Sequence, residues 1–404
     1  MGDIEQPPAS LDRDDARPTV LLHTVSRIAD VPAADWDACA RGAEATLANP
    51  FISHAFLRAV EQSGSATRET GWLPRHVLLE DSAGALIACM PCYLKSHSQG
   101  EYVFDHGWAD AYLQAGGRYY PKLQASVPFT PVTGKRLLVR ACEDSRERET
   151  LLLHAAVQVA DRLGVSSLHV TFPTRDEWQL AGEFGLLQRT DQQFHWQNAG
   201  YLSFEDFLGA LASRKRKVIR KERRGALADG IEIEWVTGRD LTEAHWDAFF
   251  GFYMDTGSRK WGSPYLTRQC FSLLGESMAD RMLLVLARRA GRYVAGALNF
   301  IGADTLYGRY WGGIEDHPFL HFEVCYYQAI EFAIAHKLAR VEAGAQGAHK
   351  LARGYLPSET YSVHYIADPA LRRAVADYLK RERRAVAREI ALLTDDSPYR
   401  GSRD

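Results

Sequence analysis

The chain has 404 residues, 46% of them hydrophobic and 25% charged, with a formal net charge of -3. This length suits two domains of roughly 150 to 200 residues in a globular protein. No run of about eighteen apolar residues is present, which excludes a helical membrane span.

The opening MGDIEQPPASLDRDDARPTV carries acidic residues and prolines where a secretion signal needs a basic end and an apolar run. Residues 1–18 are therefore expected to be a disordered tail, and the protein to be cytoplasmic. Gln6 stands where a myristoylation signal on Gly2 needs Ser or Thr. RHVLLEDSAGALIACMPCY (75–93) predicts strand, tight turn, strand. Within it Cys89-Met90-Pro91-Cys92 matches C-x-x-C, but alternation along a strand sends the two thiols to opposite faces, whereas a redox pair should open a helix. Six cysteines in the whole chain fit a reducing compartment rather than a disulfide framework.

Glycine-punctuated loops then bring Asp105, His106, Tyr112, Tyr119, Tyr120, Lys122 and Gln124 into one stretch. Loops this polar and this aromatic usually face a ligand. LLLHAAVQVADRLGVSSLHVTF (151–172) predicts an apolar-periodic helix, a break near Gly164 and a short strand. Further on, SRKRKVIRKERR (213–224) holds eight Lys or Arg residues and one Glu in twelve positions. Helical spacing gathers Leu208, Leu211, Ala212, Ile219 and Ala226 on one side, while Arg214, Lys217, Arg220, Lys221 and Arg224 crowd the rest. An amphipathic helix over 201–230, joining two domains and open to phosphates on its basic side, is expected; a merely solvated face is the alternative.

RMLLVLARRAGRYVAGALNF (281–300) repeats the first hairpin, since aligning Gly84 with Gly291 puts Ile87 against Val294 and Ala88 against Ala295. VCYYQAIEFAIAHKLARVEAGA (324–345) repeats helix, break and strand, setting Val157 on Ile330, Val159 on Phe332 and Leu168 on Val341, with Lys337 at the break. A duplicated α/β unit over 19–200 and 231–368 is the economical reading. A charged helix and a polar tail are expected over 369–404.

Four stretches carry a resemblance: NPFISHAFLRAVEQSG (49–64), YVFDHGWADAY (102–112), GGRYYPKLQASVPFTPVTGKRLL (116–138) and, above all, FLHFEVCYYQAIEFAIAHKLARVEAGAQGAHKLARGYLPSETYSVHYI (319–366). They resemble a bacterial family of predicted N-acyltransferases, the peptidoglycan biosynthesis or recognition proteins, which is similar to the Fem-type transferases. The resemblance implies an α/β (α+β) fold of two tandem GNAT-like domains, with mixed, mostly antiparallel sheets flanked by helices. It also implies amide formation: a primary amine, on a small molecule or a cell-wall precursor, attacks an acyl-CoA thioester or the ester of an aminoacyl-tRNA. No permanently bound cofactor is implied. Such a reaction needs a neutral amine held near the carbonyl, donors for the oxyanion and an exit for a proton.

After TLYGRYWGG (305–313) comes IEDHPFLHFE, without the glycine loop whose N–H groups grip the pyrophosphate in coenzyme A-dependent acetyltransferases. That departure favours the Fem-type branch. Acyl-CoA dependence is the enzymatic alternative, and a binding protein for peptidoglycan precursors or nucleic acid the non-enzymatic one.

Glu342, at the end of a strand that borders the cleft in the implied fold, is either a base with a pKa raised by burial or a solvated strand-face carboxylate. His321 and Glu323 precede a helix, where they could face the same cleft or simply cap the helix. Gln346, His349, Lys350 and Arg353 follow a Gly turn, a set suited to a phosphate, a carboxylate or an oxyanion, or to an exposed charged turn. Tyr310, Trp311, Tyr355 and Tyr361 supply cleft walls, a phenolic proton donor or plain packing. The N-terminal loop set is expected to recognise acceptor or acyl group. His317-x-x-x-His321 has zinc-helix spacing, but Pro318 follows the first His and no Glu lies between as in H-E-x-x-H, so no metal is expected.

Overall fold

Both hairpins form: His76–Glu80 pairs with Leu86–Met90, and Met282–Arg289 with Arg292–Ile301, each antiparallel. Their turns need left-handed backbone, which Gly84 supplies at φ +80° and Gly291 at φ +77°. The structure, a computed structural model, describes residues 20–260, 264–344 and 347–401. The tail expected over 1–18 and Gln346 lie outside the described residues. Helix Ser145–Leu163 stops at Gly164 (φ +61°) before strand Ser167–Thr171, and helix Gln328–Ala335 stops short of Lys337 (φ +57°) before strand Arg340–Glu342. The two halves thus repeat the same order of parts.

The strands join into a four-stranded sheet and an eleven-stranded one. In each half one parallel pair marks the crossover beneath a helix: Lys122–Ala125 with Ser167–Thr171, and Thr305–Gly313 with Arg340–Glu342. Exchange of strands interlocks the halves. Leu356–Ile366 lies between Ser167–Thr171 and Leu187–Gln197, antiparallel to both, and Leu187–Gln197 pairs in turn with Arg340–Glu342. Boundaries at 19–200 and 231–368 therefore separate sequence repeats, not separately bonded sheets.

The segment expected as one linking helix is two, Phe204–Ala210 and Ser213–Ala226. Between them the backbone of Leu211 is extended and bridges to Tyr399. The C-terminal helix Pro369–Asp395 starts at Asp368, whose carboxylate accepts from the Leu371 N–H at 2.7 Å.

Apolar cores lie on both faces of the large sheet. Val341 and Ile219 share one; Phe51, Phe300 and Tyr307 share the other, where the Phe51 ring of the first half sits 4.6 Å from Phe300 of the second. Cys89 and Cys92 fall in different cores, as strand alternation requires, and no disulfide forms among the described residues. Among the described residues no helix is long and apolar enough to cross a membrane.

Candidate functional site

A cleft of about 430 Å³ opens where the halves interlock. Three adjacent strands supply its floor in register, Tyr307 opposite Glu342 and Glu342 opposite His195, so these side chains project to one face. Thr133 and Arg340 stand beside them, and Arg41, Lys135 and Arg175 line the cleft from the first half. The side chains of these last three cations make no hydrogen bond or ion pair among the described residues.

Glu342 itself is sealed under this floor. Its carboxylate is fully buried, 3.1 Å from the guanidinium of Arg309, and accepts a 2.7 Å hydrogen bond from Thr133. Arg309 reaches it because of a bulge: Leu298 opposes Tyr310 and Asn299 opposes Gly308, which leaves Arg309 as the extra residue. Burial alone would raise the carboxyl, but His195, Arg309, Thr133 and Arg340 together hold it below the ordinary carboxylate range. A lowered pKa and a fixed ion partner overturn the expectation of a proton-accepting Glu342.

Two other floor residues have chemistry to spare. His195 is 4% exposed and lines the cleft. The amide of Gln193 donates to the Pro131 carbonyl at 2.7 Å, so its oxygen faces His195 Nε2 at 3.2 Å. A carbonyl can only accept; hence Nε2 carries the imidazole proton, and Nδ1 keeps the lone pair. Burial first, then the cations Arg340, Arg309 and Lys350, outweigh Glu342 and push the pKa of His195 down, so the ring is neutral. Tyr307, 5% exposed, has no hydroxyl partner among the described residues. Burial and then Glu342 raise its pKa well above the usual phenol value, which keeps its proton in place. Sequence reasoning passes over His195, Tyr307, Thr133 and Arg309.

The donors expected after the second Gly turn are engaged elsewhere. Lys350, nearly buried, donates to the carbonyls of Ala343 and Gly344 at 2.5 and 3.1 Å, and burial lowers its pKa to about 8. Arg353 pairs with Glu222 at 2.7 Å and stacks on Phe322, 3.4 Å from the ring centroid. Glu323, fully buried, is held by Arg223 at 2.8 Å and by Gln328 at 2.7 Å, which makes it structural and not a cleft residue. Glu222 and Arg223 come from the basic block, where their neighbours hide them from a sequence reader. His349 meets the Tyr326 hydroxyl at 3.0 Å, and His321 lies among the rings of Trp311, Tyr326 and His349. Tyr355 is buried and bonds the Tyr326 carbonyl, Tyr310 ties the halves together through the Phe129 carbonyl at 2.9 Å, and Tyr361 alone of these lines the cleft.

The N-terminal set is also mostly interior. Lys122 is buried and bonds Asp105 at 2.5 Å, Glu101 at 2.7 Å and Ser98 at 2.8 Å; Gln124, equally buried, reaches Thr171 at 3.2 Å. A ligand-facing role for Asp105, Lys122 and Gln124 is thereby displaced by a buried network. His106 is exposed, while Tyr112 and Tyr120 line a separate pocket of about 280 Å³. Against the burial that would raise it, Lys122 and His169 hold Asp105 well below the carboxylate range. Tyr119 donates to Asp105 at 2.7 Å and lies 3.2 Å from His169, whose Nδ1 sits 2.6 Å from Nδ1 of His364 on the exchanged strand.

This network should make the fold acid-sensitive. Burial and then Lys122 depress His169 to about 3 from an ordinary 6.5, and burial depresses His364 in the same direction. The unfolded chain therefore binds more protons below 6.5, and stability is lost as pH falls from there. Glu101, which burial raises to about 7, opposes one of these two protons down to 4.5. A net loss of stability is expected as pH falls from 6.5 toward 4.5. Urea titrations at several pH values measure it, and the slope should vanish or reverse in His169→Asn/His364→Asn; a wild type equally stable at both pH values would refute the account.

Hairpin, parallel crossover pair and flanking helices, present twice, define a tandem GNAT-like fold. More narrowly, the chain belongs to the FemAB-like family of peptidoglycan biosynthesis/recognition, whose model matches residues 27–401. Among solved structures it is similar to FemX, with 12% identity over 86% of this chain and 98% of that one and a TM-score of 0.53. L-PGS from Bacillus licheniformis is another, at 10% identity over 82% and 97% with a TM-score of 0.50. None of the curated proteins matches the chain.

Proposed function

We propose that the protein joins a primary amine to an activated acyl or aminoacyl group in the cleft between its halves, by direct attack without a covalent enzyme intermediate. The floor carries this reading: a neutral imidazole with its Nδ1 lone pair and a protonated phenol, His195 and Tyr307, flank Glu342 in one row at the base of a cleft with three unpaired cations. Their backbones are about 10 Å apart, two strand spacings, which leaves room for a tetrahedral centre between the side chains. The neutral amine attacks, and His195 takes a proton from its nitrogen as the C–N bond forms. Tyr307 donates to the carbonyl oxygen while it gains charge, and the donor's C–O or C–S bond then breaks, its oxygen or sulfur leaving with a proton. Arg41, Lys135 and Arg175 hold the phosphates or carboxylates that a tRNA-borne or nucleotide-linked substrate presents. An aminoacyl-tRNA donor and a cell-wall precursor acceptor fit the missing glycine loop after Thr305–Gly313.

Purified protein should be tested with aminoacyl-tRNA and, separately, with acyl-CoA, following both melting temperature and amide product by mass spectrometry. At about 100 times its dissociation constant a true donor adds about 2.7 kcal/mol of stability. Aminoacyl-tRNA is expected to stabilise the protein and to yield product with a nucleotide-linked wall precursor. Stabilisation by acyl-CoA alone would move the donor to the coenzyme A class, and response to neither would refute the transferase reading of the cleft.

A further inference from the structure

We propose that the outer face of helix Ser213–Ala226, with the loop 314–319 beside it, docks on an anionic membrane surface. The inner face of this helix is fully accounted for: Ile219, Glu222 and Ala226 are buried, and Arg223 pairs with Glu323 and Glu331. Of the outward cations, Arg220 alone has an anion among the described residues, Glu205 at 2.5 Å. Arg214, Lys217, Lys221 and Arg224 are exposed, follow one another at helical spacing along one stripe, and have no hydrogen bond or ion pair among the described residues. A chain with a net charge of -3 has concentrated unneutralised positive charge where the fold makes no use of it.

A second observation says what kind of anion this face meets. Val218 lies in the middle of the stripe and is 45% exposed, and the neighbouring loop holds out Ile314 and Phe319, 55% and 37% exposed. Phe319 sits beside the end of the helix, since a Cβ built on Gly225 would come within 3.0 Å of its ring. Its backbone is left-handed, φ +65°, a conformation bulky residues avoid. Cations bordered by protruding aliphatic and aromatic side chains match a lipid headgroup layer, into whose boundary the apolar groups can dip. Nucleic acid would use aromatic rings interleaved with the cations as stacking platforms, and the stripe has none between Arg214 and Arg224. The contact is peripheral, because no described helix could cross the bilayer. It lies on the opposite side of the sheet from the cleft, since Ile219 shares a core with Val341 and Glu342 projects the other way. The proposal is thus independent of the transferase reading.

Flotation of the full chain with vesicles tests it. The protein should float with phosphatidylcholine vesicles containing about one third phosphatidylglycerol, fail to float with pure phosphatidylcholine, and be released by 0.5 M salt, roughly the regime in which exposed charges are screened. Lys217→Glu/Lys221→Glu/Arg224→Glu should reduce the bound fraction at least about tenfold, in line with loss of the headgroup attraction. These positions are exposed, and an unchanged melting curve shows that the fold survives. Ile314→Ser/Phe319→Asn should weaken binding while leaving its salt dependence intact, because Asn tolerates the left-handed backbone. Absence of vesicle binding, or binding that ignores the charge reversals, overturns the proposal. Tight binding of unacylated tRNA by protein that does not float would overturn it too, and would assign the face to nucleic acid.

Discussion

His195→Gln is expected to lower kcat by about 10²–10⁴-fold, the range for removing a positioned general base, while KM for the donor changes little. Gln is close in size and can still donate to the Gln193 oxygen, so the hydrogen bonds through Gln193 to Pro131 survive the substitution. What disappears is an acceptor that is neutral at pH 7. Because burial and neighbouring cations push the His195 pKa below its ordinary 6.5, the acid limb of kcat/KM in the wild type should lie below that value. In His195→Gln this limb should be missing, an effect that a purely structural role would not produce. Gln193→Leu makes the complementary test: Nε2 loses its fixed acceptor, the tautomers mix, and kcat should fall with the fold intact. Activity of His195→Gln within a few-fold of wild type, with the acid limb retained, would take the imidazole out of the mechanism.

Local structure was legible because its signals are local. Hairpins announced themselves by two-residue alternation around Gly84 and Gly291, and the paired helices by apolar period and a break at the same place, Gly164 and Lys337. Strand exchange left no such mark. LQRTDQQFHWQ, the strand Leu187–Gln197, looks too polar for a central strand, yet it lies between two others because one of its faces lines a cleft. Its one usable signal was short: Gln193 and His195 alternate with Phe194 and Trp196, which puts the polar pair on one face and the aromatic pair on the other. The strand of Glu342 was correctly anticipated, but its partner was hidden, since only a bulge in a different strand turns Arg309 toward it. In the basic block, composition concealed which members face inward. Glu222 and Arg223 are consumed by ion pairs with Arg353 and Glu323, two residues that sequence alone offered to the substrate.

Glu342→Gln should destabilise the protein by about 3–5 kcal/mol, the cost of stripping one partner from a buried ion pair. Arg309 is 2% exposed at its side chain and cannot turn to water when its carboxylate is gone. His195 and Arg340 also lie within the field of Glu342, and Arg136, wholly buried, is lowered by that burial to about 10 while Glu177 and Glu342 offset part of the penalty. Removing this anion therefore leaves several cations facing one another across the strand junction that joins the halves. The sign with pH follows from the depressed carboxyl: its contribution is complete above the ordinary 4.5 and is lost as pH falls through the lower folded value. The gap between wild type and Glu342→Gln in urea midpoint should accordingly be constant from pH 8 to about 5 and close at lower pH. Glu342→Leu/Arg309→Met, which removes both charges, should regain most of the loss, because a buried pair is worth little against well-packed apolar groups. Were Glu342→Gln as stable as wild type but inactive, the ion pair would be dispensable to the fold, and the carboxylate would have to be returned to the chemistry of the cleft.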